Sequence, residues 1–156
     1  MAQMDPRVAK LKTPEDCEVF ARNARERGAP ELATQAERRA VEFLAEAAGA
    51  TTEIEREALK AVYAYDRVLR SLNKASPGAV RTKQMIDRHG VVATIERLVS
   101  KKAESPGYMK LVELGMQDLA FEQIVLRYPE AFSAKAVAMS RQRIQQLEAC
   151  ERVPRV

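Results

Sequence analysis

A chain of 156 residues, 46% of them apolar, can bury one core of ordinary size. Its alanine-rich, tryptophan-free and aromatic-poor composition points to close-packed helices rather than a core of large rings. The net charge of +4 names no partner by itself, and the longest apolar runs fall far short of the roughly 20 residues a membrane span needs, which excludes a membrane partner.

The N-terminal stretch has no apolar signal segment, so the expectation is a soluble, cytoplasmic chain. Cys17 and Cys150 stand at opposite ends without CxxC spacing or neighbouring histidines, which predicts buried free thiols and no metal or other cofactor. After a charged arm over residues 1–12, Thr13 is placed as an N-cap with Pro14 at the first helical position, and that helix closes at Gly28 with Cys17, Phe20, Ala21 and Ala24 inward. A second helix is expected from Pro30 to about Ala48, with Leu32, Ala36, Ala40, Phe43, Leu44 and Ala47 inward, pairing with the first as a hairpin. Thr52 and Glu55 read as a capping box opening a third helix that runs to about Asn73. Its apolar side is Ile54, Ala58, Ala61, Val62, Tyr65, Val68, Leu69 and Leu72.

Pro77 and Gly78 break the chain before helices over Val80 to His89 and Val91 to about Lys102, with Gly90 taking a left-handed turn between them. Met85, Ile86, Val92, Ile95, Leu98 and Val99 are expected inward. Ser105 and Pro106 mark the start of another helix, ending at Gly115, and an apolar helix ends before Pro129. A last helix opens at Ser133, with Phe132 and Val137 placed as a hydrophobic staple, and extends to about Cys150, leaving a tail over residues 151–156. No stretch carries the period of two that marks strands. The chain therefore reads as a single all-α domain over residues 13–150, a compact bundle or orthogonal array of about seven helices.

Charge is unevenly spread. Between Arg67 and Lys102 there are nine basic residues against two acidic ones, a balance of +7 that leaves the other 120 residues at −3. On the third helix Arg56, Lys60, Tyr63, Arg67, Arg70 and Lys74 recur at spacings of four and three, a band about 80° wide opposite the apolar side and free of acids. The band spans about 27 Å at the helical rise, and rows of cations on a rigid face suit phosphate contacts, with Tyr63 able to stack on a base or donate its hydroxyl. Arg81, Lys83, Arg88, Lys101 and Lys102 extend this surface. An ordinary solvated face is the competing interpretation.

The helix, His-Gly break and helix over residues 81–102 invite comparison with helix-turn-helix proteins. Ile86 and Glu96 stand where that motif wants a small and an apolar residue, so a plain helical corner fits better. His89, the one histidine, suits a helix C-terminus as a cation or donor. Asp66, Asp87 and Glu96 are too scattered to form an acid-base pair, and no phosphate loop or nucleophile elbow is present, so no catalytic residue is expected. The expected function is a non-enzymatic, accessory or regulatory nucleic-acid-binding protein, DNA ahead of RNA, in bacterial or phage DNA metabolism or defence. The alternative is an interaction module or inhibitor that docks its basic face on an acidic or nucleic-acid-binding partner protein.

Overall fold

A computed structural model of the chain describes residues 3–73, 75–101 and 107–152, the last three by their backbone alone. Nine α-helices and two 3-10 turns account for the regular structure of the described residues, which form no strand. The helices are α1 (Pro6–Ala9), α2 (Pro14–Glu26), α3 (Pro30–Ala47), α4 (Glu53–Leu72), α5 (Val80–His89), α6 (Val91–Val99), α7 (Tyr108–Glu113), α8 (Phe121–Arg127) and α9 (Ala134–Arg152). The all-α class is as expected. The count reaches nine because α1 forms within the arm, ahead of the eight helices placed after it, where Asp5 accepts from the Arg7 N–H, Pro6 holds the first position and Val8 is fully buried.

Side-chain caps set the boundaries. Thr13 Oγ1 accepts from the Asp16 N–H at 3.1 Å, Thr52 Oγ1 from Glu55 N–H at 3.2 Å, and Ser133 Oγ from Ala136 N–H at 3.0 Å. Each satisfies a first-turn donor that the helix itself leaves unpaired. The expected capping box is offset by one residue, because the Glu55 carboxylate turns back to Thr51, taking its N–H and hydroxyl at 3.2 and 3.1 Å. Gly90 has a positive φ of 84°, but its ψ of 162° makes the joint between α5 and α6 extended rather than a left-handed turn. The expected starts at Ser105 and Pro106 lie outside the described residues.

Helix α4 runs through the middle of the molecule with apolar clusters on two of its sides. Ala58, Leu59, Ala61 and Val62 pack with Val91, Ile95 and Val99 of α6, Ile124 and Val125 of α8, and Phe132 and Ala136 at the start of α9. Ala64 and Val68 pack on a second side with Val41, Tyr108, Leu111, Met116, Leu119, Ala120 and Ile144. A third cluster of Val8, Ala21, Ala24, Ala33 and Ala36 joins α1, α2 and α3. Small residues let these helices approach closely.

The inward face of α3 differs from the expected one. Ala33, Ala36, Glu37, Ala40, Val41 and Ala45 are buried, whereas Ala47 is exposed and Phe43 lies at the margin with the Arg39 guanidinium 4.7 Å from its ring centre. Burial of Glu37 is compensated by a paired fork from Arg25, at 3.2 and 3.0 Å. Leu72, expected inward on α4, is 57% exposed, as are all residues from Arg70 to Asn73 at the end of that helix.

Candidate functional site

Because α4 is flanked on several sides, its basic band is not a free row of cations. Lys60 pairs with Glu57 at 3.0 Å, one turn earlier on the same helix, and Glu57 is shared with Arg127 of α8 at 3.3 Å. Arg67 reaches Glu18 of α2 at 2.7 Å, its side chain is only 20% exposed, and its Nε is buried without a partner. Tyr63 is half-buried and packs against both α4 clusters, with the Lys83 Nζ 5.6 Å from its ring centre. Acids therefore reach the band from its flanks and from a neighbouring helix. Only Arg56, at the first turns of α4, stays exposed without a carboxylate partner, and Lys74 lies outside the described residues.

Asp66 neutralises the other end of the band. Its carboxylate accepts from Arg70 Nε at 3.0 Å, from Lys83 Nζ of α5 at 3.0 Å and from the Ala79 N–H at 2.8 Å. Burial would raise this carboxyl, but the Ala79 N–H and the two cations outweigh it and hold it below the ordinary aspartate value. Arg70 also donates to the Pro77 carbonyl at 3.2 Å, so its guanidinium staples α4 to the turn that starts α5.

The expected extension of the surface is arranged differently. Arg81 and Arg88 are exposed on one face of α5, two turns apart and about 10 Å along its axis. Arg97 of α6 and Lys101 just beyond it are likewise exposed, and Lys102 lies outside the described residues. Among the described residues none of these four side chains has a carboxylate within ion-pair distance. Of the acids on this segment, Glu96 is engaged, taking the Ser133 N–H at 2.7 Å and the Ser133 and Ser100 hydroxyls at 2.9 and 3.0 Å, while Asp87 is exposed. Arg97 joins the candidate set through its exposure, which the helical period of α6 alone would have shown.

A recess of about 580 Å³ opens beside this segment. Leu59, Val62, Ile86 and Val91 supply its apolar surface and Tyr63 one wall. Lys83, His89, Glu55 and Asp87 stand around it, and Ala48, just past α3, and Ala93 of α6, both exposed, form its lips. His89, the last residue of α5, is exposed and makes no side-chain hydrogen bond among the described residues. Asp66, Asp87 and Glu96 do not converge: one lies under the α4–α5 turn, one at the recess and one against α9.

No family model, curated protein or solved structure matches the chain. Its functional reading rests on its own geometry. Among the described residues no group of His, Cys, Asp and Glu has the arrangement to hold a metal, and no helix is long and apolar enough to cross a membrane.

Proposed function

We propose that this chain is a non-enzymatic nucleic-acid-binding protein of accessory or regulatory type that engages phosphates through the α5–α6 segment rather than along α4. The observation that supports this is the sorting of the cations. Those of α4 are mostly committed to Glu57, Glu18 and Asp66, whereas Arg81, Arg88, Arg97 and Lys101 are exposed and, among the described residues, have no carboxylate partner. A free guanidinium can release counterions from a phosphate chain without first giving up a carboxylate, so the unpaired set is the one that binds at least cost. The spacing of Arg81 and Arg88 matches about three phosphate steps along one strand.

Binding to a mixed-sequence oligonucleotide across a salt series tests the reading. Log affinity should fall linearly with log salt, and Arg81→Glu with Arg88→Glu should lower the slope by about two. Arg67→Glu places like charge against Glu18 and should reduce stability while leaving that slope almost unchanged. Equal effects of the two sets on the slope would contradict the assignment.

An acidic protein surface is the second reading, favoured by one observation. Leu72 and Val80, 57% and 42% exposed, stand at the end of α4 and the start of α5 and are flanked in sequence by Arg70 and Arg81. Exposed apolar side chains beside cations suit an interface. Loss of a partner's binding on Leu72→Ser, with oligonucleotide affinity unchanged, would favour it.

A further inference from the structure

We infer that the recess between α4, α5 and α6 receives an unstacked nucleobase, so that the nucleic acid this chain prefers is single-stranded or looped rather than an intact duplex. This rests on the phosphate-binding reading above and deepens it.

The first reason is position. Ala93 of α6 lines the recess, and Arg97 stands one turn further on the same face of that helix, exposed and without a carboxylate partner among the described residues. A strand whose phosphate meets Arg97 is thereby brought within about one helical turn of an opening large enough for a base and its sugar, since pockets for small ligands run to about 300–1,000 Å³. The second reason is chemistry. A nucleobase has an apolar face and an edge that carries both donors and acceptors. The recess offers the matching combination: Leu59, Val62, Ile86 and Val91 for the face, with the Asp87 carboxylate as acceptor and the His89 imidazole as donor or acceptor at the rim. Neither rim group is committed to another residue among those described, whereas Lys83 is held by Asp66 and Glu55 by Thr51. A lone anion would find an apolar surface and two carboxylates, and a lone hydrocarbon would leave three charged groups and an imidazole to desolvate.

The third reason is that charge alone predicts the opposite preference. Duplex DNA carries one phosphate per about 1.7 Å of axis against about 3.4 Å for one strand, so a surface that reads only phosphates favours duplex. Bases in a duplex are stacked and cannot enter a recess. A single-strand preference therefore isolates the contribution of the recess from that of the cations.

The test compares a mixed-sequence single-stranded DNA, its duplex and inorganic polyphosphate, all at the same low salt. Single strand should bind more tightly than duplex, because a base contact, worth about tenfold or more, outweighs the duplex's denser phosphates. Ala93→Leu and, separately, Ala48→Leu fill the recess from its two lips without altering the buried clusters, since both alanines are exposed. Each should remove the single-strand advantage while leaving duplex and polyphosphate affinity unchanged. Because one variant stands at the end of α3 and the other within α6, agreement between them separates filling from local misfolding. Duplex bound as well as single strand, with both variants silent, overturns the inference and leaves phosphate binding standing. Failure of all three polyanions to bind at low salt overturns both.

Discussion

Asp66 sits where three donors of different origin meet, and Gly78 shows how closely the chain is wrapped around it. A Cβ added at Gly78 would collide with the Asp66 carboxylate and the Arg70 guanidinium, and its φ of +84° is in the region that disfavours side chains. Gly78→Ala should therefore cost about 1–3 kcal/mol in chemical denaturation. Asp66→Ala leaves the Ala79 N–H unpaired and sets Arg70 and Lys83 side by side without their shared anion, an expected loss of about 1–3 kcal/mol. The carboxyl is held below its ordinary value by the Ala79 N–H, Lys83 and Arg70 acting against burial. A depressed folded pKa means that the stabilisation is complete above the ordinary aspartate value near 4 and is lost as pH falls through the lower, folded value. Wild type should lose stability on acidification below about pH 4 more steeply than Asp66→Ala, as measured by denaturation midpoints over that range. Equal acid limbs would show that the carboxylate is not differentially stabilised by folding.

At the level of the element, the sequence announces ends better than faces. Thr13, Thr52 and Ser133 act through the three residues after them, so their caps are legible locally, as are the stops at Gly28 and before Pro129. The inward face of α3 was not legible, because alanines lie on several sides of that helix and the structure chooses among them by what α2 and α4 present. The α4 band failed as a free surface for a related reason. Glu18 is 49 residues from Arg67, Lys83 is 17 from Asp66 and Arg127 is 70 from Glu57, separations that helical periodicity cannot pair. Asp66 also falls one residue outside the basic window and offsets two of its members. The recess was equally hidden, since its lips come from the end of α3 and the start of α6. Ser133 illustrates how a local cap becomes a long-range tie: besides capping α9, its N–H and hydroxyl both donate to Glu96 of α6. Ser133→Ala should cost about 1 kcal/mol from the cap, with a further loss from Glu96, measured by thermal or denaturant unfolding. A change within experimental scatter would mean that water replaces the hydroxyl without penalty.

Across the whole molecule the three apolar clusters differ in substance. Those on either side of α4 contain Ile95, Ile124, Met116 and Leu119, all nearly or fully buried, while the cluster under α1 and α2 holds Val8 and four alanines. Each buried Ile or Leu contributes about 1.5–3 kcal/mol, so the cluster dominated by alanines stabilises its helices less. The links from α2 to the rest partly compensate. Cys17 is completely buried, and desolvation pushes its thiol pKa up, which keeps it protonated and apolar in character; Glu18 pairs with Arg67, and Glu37 with Arg25. Exposed pairs such as Glu18 with Arg67 add little by themselves, since the carboxylate is 52% exposed. The expected consequence is a stability gradient, with α1 and α2 opening before the α4, α6 and α8 core. Native-state hydrogen exchange should show α2 amides exchanging through an opening of lower free energy than global unfolding, while the buried stretches of α4 and α8 exchange only through the global event. Ala36→Gly, which weakens α3 under α2 by about 1 kcal/mol of helix propensity, should widen the gap by accelerating α2 further. If α2 and α4 amides share one free energy of opening in both proteins, the alanine cluster is as strongly coupled as the larger ones and the molecule unfolds as a single unit.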